Sequence, residues 1–530
     1  MSLFLFEDEH LLVVNKPAGW NTHAPNPYAG EGIYDWLKHR EPRWARLAII
    51  HRLDKETSGV LVFGKTPEAN RSLTAQFTAR GTRKKYLLLT DRKVPSKAFT
   101  AQSQIVRAGE KYVSRTLHSG ADRAETHFKM IRVHENRTLV EAEPITGRTH
   151  QIRVHAAEHG FPIYGDTLYG GTRAERVFLH AFELAVKHPA AGTWLQWKAP
   201  CEWSEFQFAI RPEICAVFID PQQTNAFRII HGAADGMPDF FVDKLGDYLL
   251  AQSEHELTEE RRTRLQNLSE THRASGVYHK LLSRHVGGGG ASASPRLVLG
   301  AAAPERFIVR ENGLTFELSF SEGYSVGLFL DQRDNRRRLL VNHAAADFSL
   351  FQDGARRAEM LNAFAYTCGF SVAAAKAGAR TTSLDLSKKY LEWGKQNFAL
   401  NQIDPGGHDF IYGDAFEWMR RLAKKGRVFD VVVLDPPTFS QSKESGTWQA
   451  GKNYGQLVES ALPLLKRGGV LFASTNAGKM EPEKFLNVIH EAIGKSRRKI
   501  LQQHYVPQPP DFPITRSEPA HLKTAWMRIG

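Results

Sequence analysis

Residues 51–59 read His-Arg-Leu-Asp-Lys-Glu-Thr-Ser-Gly and continue as Ser-Gly-Val-Leu-Val-Phe-Gly-Lys at 58–65. The second half is an apolar run rich in β-branched and aromatic side chains with a glycine near each end, which predicts a strand. The first half is a polar loop whose single aspartate, Asp54, lies between Arg52 and Lys55. Working outward, Thr66-Pro67-Glu68 predicts a helix start, because a threonine hydroxyl caps free N–H groups and proline has none to waste in the first turn. Ala69, Leu73 and Phe77 give that helix an apolar face, and Gly81 ends it. Residues 3–6 and 11–15 read as a hairpin around Glu7-Asp8-Glu9-His10, and strand resumes at 85–89. A short helix is predicted from 150 to 159, with Thr149 as its cap and Gly160 as its stop. The result is a mainly β fold with a few helices over about 1–210.

Residues 211–224 read as a connector. A small α/β domain follows over 225–320, with strands at 240–243, 248–252 and 277–282 and a helix at 256–269. Its run Val-Gly-Gly-Gly-Gly-Ala-Ser-Ala-Ser-Pro at 286–295 is low-complexity, and no strand and Gly-Lys-Ser/Thr pair frame it as a phosphate loop. Within 321–530 the pattern turns to strand–helix alternation, with strands at 359–365, 381–386, 409–412, 429–434 and 470–474. That alternation predicts a Rossmann-like parallel sheet. Residues 499–506 and 521–529 read as a closing antiparallel hairpin.

Seventy Lys and Arg against 57 Asp and Glu leave a formal charge of +13, which favours a polyanionic partner such as RNA. Cys201, Cys215 and Cys368 show no CxxC or His-pair spacing, which speaks against a disulfide framework and a structural metal. The N-terminus lacks a basic, then apolar, leader and no run of about 18 apolar residues occurs, so a cytoplasmic protein without membrane spans is expected.

Three further stretches join Asp54: Arg-Lys-Lys-Tyr at 83–86, Pro-Ile-Thr-Gly-Arg-Thr-His-Gln-Ile-Arg-Val-His at 144–155, and Phe-Pro-Ile-Tyr-Gly-Asp-Thr-Leu-Tyr-Gly at 161–170. With Leu179-His180-Ala181, and in this order, they resemble the RluA-type pseudouridine synthases. The resemblance implies Asp54 as the catalytic aspartate, Tyr86 as the active-site tyrosine and Arg153 as the aspartate's basic partner. It also implies Arg52 as the residue that enters the RNA where the uridine leaves; Arg148 and His150 are further candidate RNA contacts. The chemistry suits these types. Isomerising uridine breaks N1–C1′ and rejoins through C5, and a carboxylate can attack C1′ or help remove a proton next to it. A neighbouring arginine favours the ionised carboxylate, and a tyrosine offers a ring face and a hydroxyl. The uridine must be flipped out of its stack. No cofactor or metal is expected here. Many relatives carry an extra RNA-binding domain ahead of the catalytic one, whereas this sequence starts directly on the catalytic fold.

The second site gathers at predicted strand ends. Phe364, Tyr366 and Gly369 follow the first strand, Asp385 and Leu386 close the second, Asp414 and Ala415 follow the third, and Asp435-Pro436-Pro437-Thr438-Phe439 follows the fourth. A glycine turn and then an acidic residue for ribose hydroxyls suit a nucleoside cofactor, and strand ends of an open α/β sheet are where ligands bind. Asp414 reads equally as a helix cap. Together with 227–247, Tyr-Leu-Glu-Trp at 390–393 and Gly-Leu-Phe-Leu-Asp-Gln-Arg at 327–333, these residues resemble class I rRNA methyltransferases. Within that group the guanine-N7 large-subunit branch is most similar. S-adenosylmethionine is the implied cofactor, with Asp331 and Arg333 completing its pocket. The 5-methylcytosine branch needs a cysteine nucleophile, and none lies near 435–439, where Ser474-Thr475-Asn476 ends the fifth strand. Arg336-Arg337-Arg338 reads as a solvated helix face or a phosphate contact.

These readings predict two enzymes on one chain, acting on RNA, with 23S-type rRNA favoured over tRNA. The alternatives are a ribosome-assembly factor with one inactive site, or a methyltransferase for another base or for tRNA.

Overall fold

The computed structural model describes residues 3–117, 123–201, 203, 217–282, 294–323, 325–442 and 446–530. Connector residues 211–216 and most of the glycine run, 286–293, lie outside the described residues. Two compact units emerge: Met1–Pro25, Glu31–Lys38 and Arg46–Phe218 form one, and Asn26–Gly30, His39–Ala45 and Ile219–Gly530 the other.

The first unit is built on an 11-stranded mixed sheet. The stretch that opened the reading forms the strand Ser58–Gly64, buried throughout. It pairs antiparallel with Leu11–Lys16 and parallel with Leu179–Lys187. Gly59 has φ 116°, and a Cβ there would meet the Ala181 carbonyl oxygen at 2.2 Å, so only glycine lets these strands meet. The helix Pro67–Thr78 starts as predicted, with Thr66 accepting from the Ala69 amide and Ala69 and Leu73 buried. The helix predicted at 150–159 spans Gln151–Glu158. Its entry is not capped by Thr149; His150 takes the N-cap position in the left-handed region (φ 55°) without a side-chain cap.

The second unit opens with a five-stranded sheet, Ala226–His231, Phe241–Leu245, Tyr248–Ser253, Gly276–Leu281 and Arg296–Gly300 in spatial order. Its helix spans Glu259–Thr271, later than predicted, because the Thr258 hydroxyl, not an earlier residue, accepts from the Arg261 amide. The larger sheet runs Asp409–Tyr412, Arg380–Asp385, Glu359–Ala363, Phe429–Leu434, Leu465–Thr475, Lys523–Ile529, Ile500–Val506. The first five strands are parallel, and the last two join antiparallel. Parallel strands buried on both faces read as continuous apolar runs, as Val431, Val432, Val433 and Leu434 do at 0% exposure. All parallel carboxyl ends therefore face one crevice. Among the described residues, no helix is long and apolar enough to cross a membrane.

Candidate active sites

In the first unit, Asp54 sits on a loop held on both sides. The Leu53 amide donates to Thr22 Oγ1, whose hydroxyl donates back to the Leu53 carbonyl. Beyond Asp54, the Lys55 carbonyl accepts from the Gly19 amide at 2.8 Å and from Lys16 Nζ at 3.2 Å. Lys16 is fully buried and also donates to the carbonyls of Pro17 (3.0 Å) and Trp20 (2.6 Å). Burial pulls its ammonium down to about 7, against the opposing pull of Asp54 and Glu56.

Arg153 Nη1 stands 3.7 Å from Asp54 Oδ2, and His150 Nε2 stands 3.8 Å from the same oxygen. Arg153 is anchored elsewhere: Nε and Nη2 donate to both oxygens of buried Asp166 at 2.7 and 2.8 Å. It therefore offers its remaining nitrogen to Asp54 and to Glu56, 3.7 Å away. His150 Nδ1 meets the Tyr169 hydroxyl at 2.8 Å, and that hydroxyl accepts from the Tyr112 amide. Burial lowers the His150 pKa, although Asp54 opposes this. Burial, with the negative charge of Asp54, raises the Tyr86 phenol, so it stays protonated. The structure thus brings Asp54, Arg153 and His150 together, with the Asp54 charge felt at Tyr86. Arg52 and Arg148 are exposed, on the two loops that carry Asp54 and His150. Sequence reasoning missed Lys16, Asp166 and Tyr169. Asp166 and Tyr169 lay inside a quoted motif without a role, and their pairing shows only once the chain folds.

In the second unit, a cavity of about 290 Å³ lies at the carboxyl ends of the parallel strands. Asp331, Phe364, Tyr366, Gly369, Asp385, Leu386, Ala415, Asp435, Pro436 and Pro437 line it. Phe364, Tyr366 and Cys368 all have positive φ (64°, 49° and 65°), a conformation that costs about 1–3 kcal/mol per residue and collects at functional sites. The turn brings the Tyr366 amide to Asp385 Oδ2, and the Ser387 amide donates to Oδ1, both at 2.8 Å. Burial still leaves the Asp385 pKa raised despite these two donors. Gly413, φ 147°, also lines the cavity; a Cβ there would strike Trp418 Nε1 at 2.3 Å.

At the other end, Asp435 Oδ1 accepts from Gln332 Nε2 at 3.0 Å. Gln332 also donates to Ser474 Oγ, and its own carbonyl accepts from Asn335. Burial, reinforced by the negative charge of Asp331, pushes the Asp435 carboxyl up to about 6, with Ser474 opposing. Burial works against Asp331 too, but the His521 hydrogen bond, with Arg336 and Arg228, holds it below the usual carboxylate range.

Several predicted site residues stand elsewhere. Arg333 does not line the cavity; its guanidinium donates to both oxygens of fully buried Asp511 at 2.7 and 2.5 Å, an internal charge that needs a partner. Asp414 is a helix cap, accepting from the Glu417 amide at 3.1 Å, and is absent from the lining. Thr438 bonds Asn476, and Phe439 is exposed; neither lines the cavity. Arg336 and Arg338 are buried, neither solvated nor on a phosphate surface: Arg336 pairs with Glu311 at 2.6 and 2.7 Å. Cys368 is buried and does not line the cavity, and burial pushes its thiol up to about 12.

This donor set fits S-adenosylmethionine. Asp385 keeps lone pairs for ribose hydroxyls, Phe364 and Leu386 offer apolar walls for a purine, and Asp331 suits a cationic end.

Comparisons with known proteins agree. The sequence model of the RNA pseudouridylate synthase family matches residues 10–158, and that of the S-adenosylmethionine-dependent methyltransferases matches 242–528. The ribosomal RNA large subunit methyltransferase of Deinococcus radiodurans is 30% identical over 313 residues, 58% of this chain and 73% of the relative. Ribosomal large subunit pseudouridine synthase C of Yersinia pestis is 39% identical over 211 residues, 37% of this chain and 65% of the relative, so just under two thirds of that protein is spanned. The structure of SMU.776, a methyltransferase candidate solved with SAH, aligns at TM-score 0.51 and 27% identity over 58% of this chain and 76% of its own. The chain belongs to the S-adenosylmethionine-dependent methyltransferases and carries, ahead of that domain, an RNA pseudouridylate synthase domain.

Proposed function

We propose that this chain isomerises a uridine to pseudouridine and methylates a guanine at N7, both in large-subunit rRNA. What carries the reading is the pair of sites, each with a carboxylate beside polar partners: Asp54 beside buried Arg153 and half-buried His150, and Asp435 beside buried Gln332.

In the first reaction the ionised Asp54 attacks C1′ of a flipped-out uridine, or assists loss of a neighbouring proton, while the N1–C1′ bond breaks. The freed uracil turns so that C5 bonds to C1′ as any Asp54–C1′ bond breaks and the carboxylate is released, the C5 proton leaves, and N1 takes up a proton. Tyr86, kept protonated by burial and by Asp54, faces the base with a neutral phenol. Arg153 steadies the carboxylate electrostatically, and Asp166 fixes its guanidinium. Arg52, Arg148 and His150 contact the RNA.

In the second reaction, bound S-adenosylmethionine would supply an electrophilic methyl group. Asp385 holds its ribose hydroxyls, and Asp435 with Pro436 and Pro437 positions the base. Guanine N7 carries a free lone pair, so positioning replaces covalent activation of the ring. No cysteine lines the cavity among the described residues, whereas forming 5-methylcytosine needs one as nucleophile.

Nucleoside mass spectrometry tests both halves. Unmodified large-subunit rRNA is incubated with the full chain and labelled S-adenosylmethionine, then digested. Pseudouridine with labelled 7-methylguanosine supports the reading. A different labelled nucleoside rejects the N7 assignment, and labelling of tRNA alone rejects the rRNA assignment.

A further inference from the structure

Both partners of Asp54 are held from behind by one short turn. His150 and Arg153 reach the same oxygen, Asp54 Oδ2, from the entry and first turn of the Gln151–Glu158 helix. Behind them runs the tight turn Thr167–Tyr169, which starts from Asp166. At about three residues per turn, Asp166 and Tyr169 come to lie on one side of it. Asp166 takes Arg153, and Tyr169 takes His150. The Tyr169 ring also lies against the Arg153 guanidinium, 5.1 Å from its centroid.

What His150 shows to Asp54 depends on which ring nitrogen carries the hydrogen. A phenol keeps its hydrogen in the ring plane and offers one good lone pair in that plane. The Tyr112 amide, which can only donate, takes that lone pair at 3.0 Å. The hydroxyl hydrogen is left for His150 Nδ1, 2.8 Å away, which must then accept. In a neutral imidazole the hydrogen then belongs to Nε2. Burial keeps this ring neutral by lowering its pKa, with Arg153 acting the same way and Asp54 opposing. A second observation agrees. Nε2 faces a carboxylate oxygen at 3.8 Å, where a hydrogen is attracted and a lone pair repelled. The Tyr112 ring, set edge-on to the imidazole at 5.3 Å, helps to hold its plane.

We infer that Tyr169 is a positioning residue for pseudouridine formation: its hydroxyl fixes His150 with the hydrogen on Nε2, so that a donor and not a lone pair faces Asp54 as the carboxylate meets C1′. At 3.8 Å the pair is longer than a hydrogen bond, and catalytic contacts often tighten only once substrate is bound. The opposite tautomer would set lone pair against lone pair beside the reacting oxygen. One turn thereby serves both partners, Asp166 fixing the guanidinium and Tyr169 the imidazole. This inference rests on reading Asp54 as the reacting carboxylate.

The test uses the full chain with unmodified large-subunit rRNA transcript. Tyr169→Phe keeps the ring against Arg153 and removes only the hydroxyl. Its kcat for pseudouridine formation is expected to fall about tenfold or more, the scale of a misaimed reacting group, with KM for RNA within about twofold. His150→Gln leaves an N–H near the Nε2 position and His150→Asn near Nδ1, so kcat is expected to be about tenfold or more lower with Asn than with Gln. Adding Tyr169→Phe to His150→Gln is expected to cost nothing further, because the hydroxyl acts through the imidazole. In nitrogen NMR spectra of isotope-labelled histidine, the signal missing from His150→Gln is expected to be that of a ring with its hydrogen on Nε2. Losses that multiply in the double variant would overturn the inference by showing a general structural role. Equal rates for Gln and Asn, a change confined to KM, or a hydrogen on Nδ1 would overturn it as well. If the wild-type chain forms no pseudouridine, or Asp54→Asn still forms it, the reading of Asp54 fails first, and this inference with it.

Discussion

Asp54 and Asp435 occupy opposite situations although both are carboxylates beside an active cavity. Asp54 has two cationic or polar partners near 3.7–3.8 Å. Replacing Asp54 by Asn should abolish pseudouridine formation, a loss of at least about 10³-fold, while labelled methyl incorporation stays at wild-type level. Burial raises Asp435 to about 6, so its ionised form is lost as pH falls through that value. If the base is held by its charged form, methyl transfer should drop progressively below pH 6 and plateau above about 7. Asp435→Asn should flatten that limb while pseudouridine formation keeps its own profile. Asp54 stood out through the resemblance of its segment and three later stretches to the pseudouridine synthases, and Asp435 through its place at a predicted strand end in Asp-Pro-Pro-Thr-Phe. Asp414 took the helix-cap role that the sequence also offered, whereas Arg333 was misplaced. Position beside a motif says nothing about the partner a side chain finds, and Asp511 lies 178 positions from Arg333.

At the scale of elements, strands and helices were readable where apolar periodicity met a turn or cap, as at Thr66-Pro67 and along Phe429–Leu434. Caps without a hydroxyl were not: the Gln151–Glu158 helix was expected within a residue of its start, but its N-cap is left-handed His150 and not Thr149. Arg336, Arg337 and Arg338 looked solvated because charge density is visible in sequence whereas Glu311, the partner of Arg336 on a distant strand, is not. Those buried pairs make stability predictions. Asp511→Ala leaves Arg333 buried without its carboxylate and should cost about 3–5 kcal/mol, read as a lower urea midpoint. Asp166→Ala should do the same to Arg153 in the first unit. There it should also slow pseudouridine formation, since the guanidinium facing Asp54 loses its anchor.

For the molecule as a whole, the surplus of +13 predicts RNA binding governed by phosphates. Affinity for rRNA should fall by roughly 10³-fold or more between about 50 and 200 mM salt. Filter binding should give the same slope for Asp54→Asn and Asp435→Asn, which remove chemistry rather than charge contacts. The larger sheet carries one more consequence. Lys523–Ile529 lies between Leu465–Thr475 and Ile500–Val506, although it follows both in the chain. While this protein is being made, the strand holding Val470, Leu471 and Phe472 therefore waits with a bare edge until some fifty further residues have left the exit tunnel. Unpaired apolar edges invite association with other chains. Synthesis that stalls within that interval should leave sticky, cofactor-incompetent nascent polypeptide, so the yield of this enzyme in a cell depends on brisk translation of its last stretch and on chaperone cover.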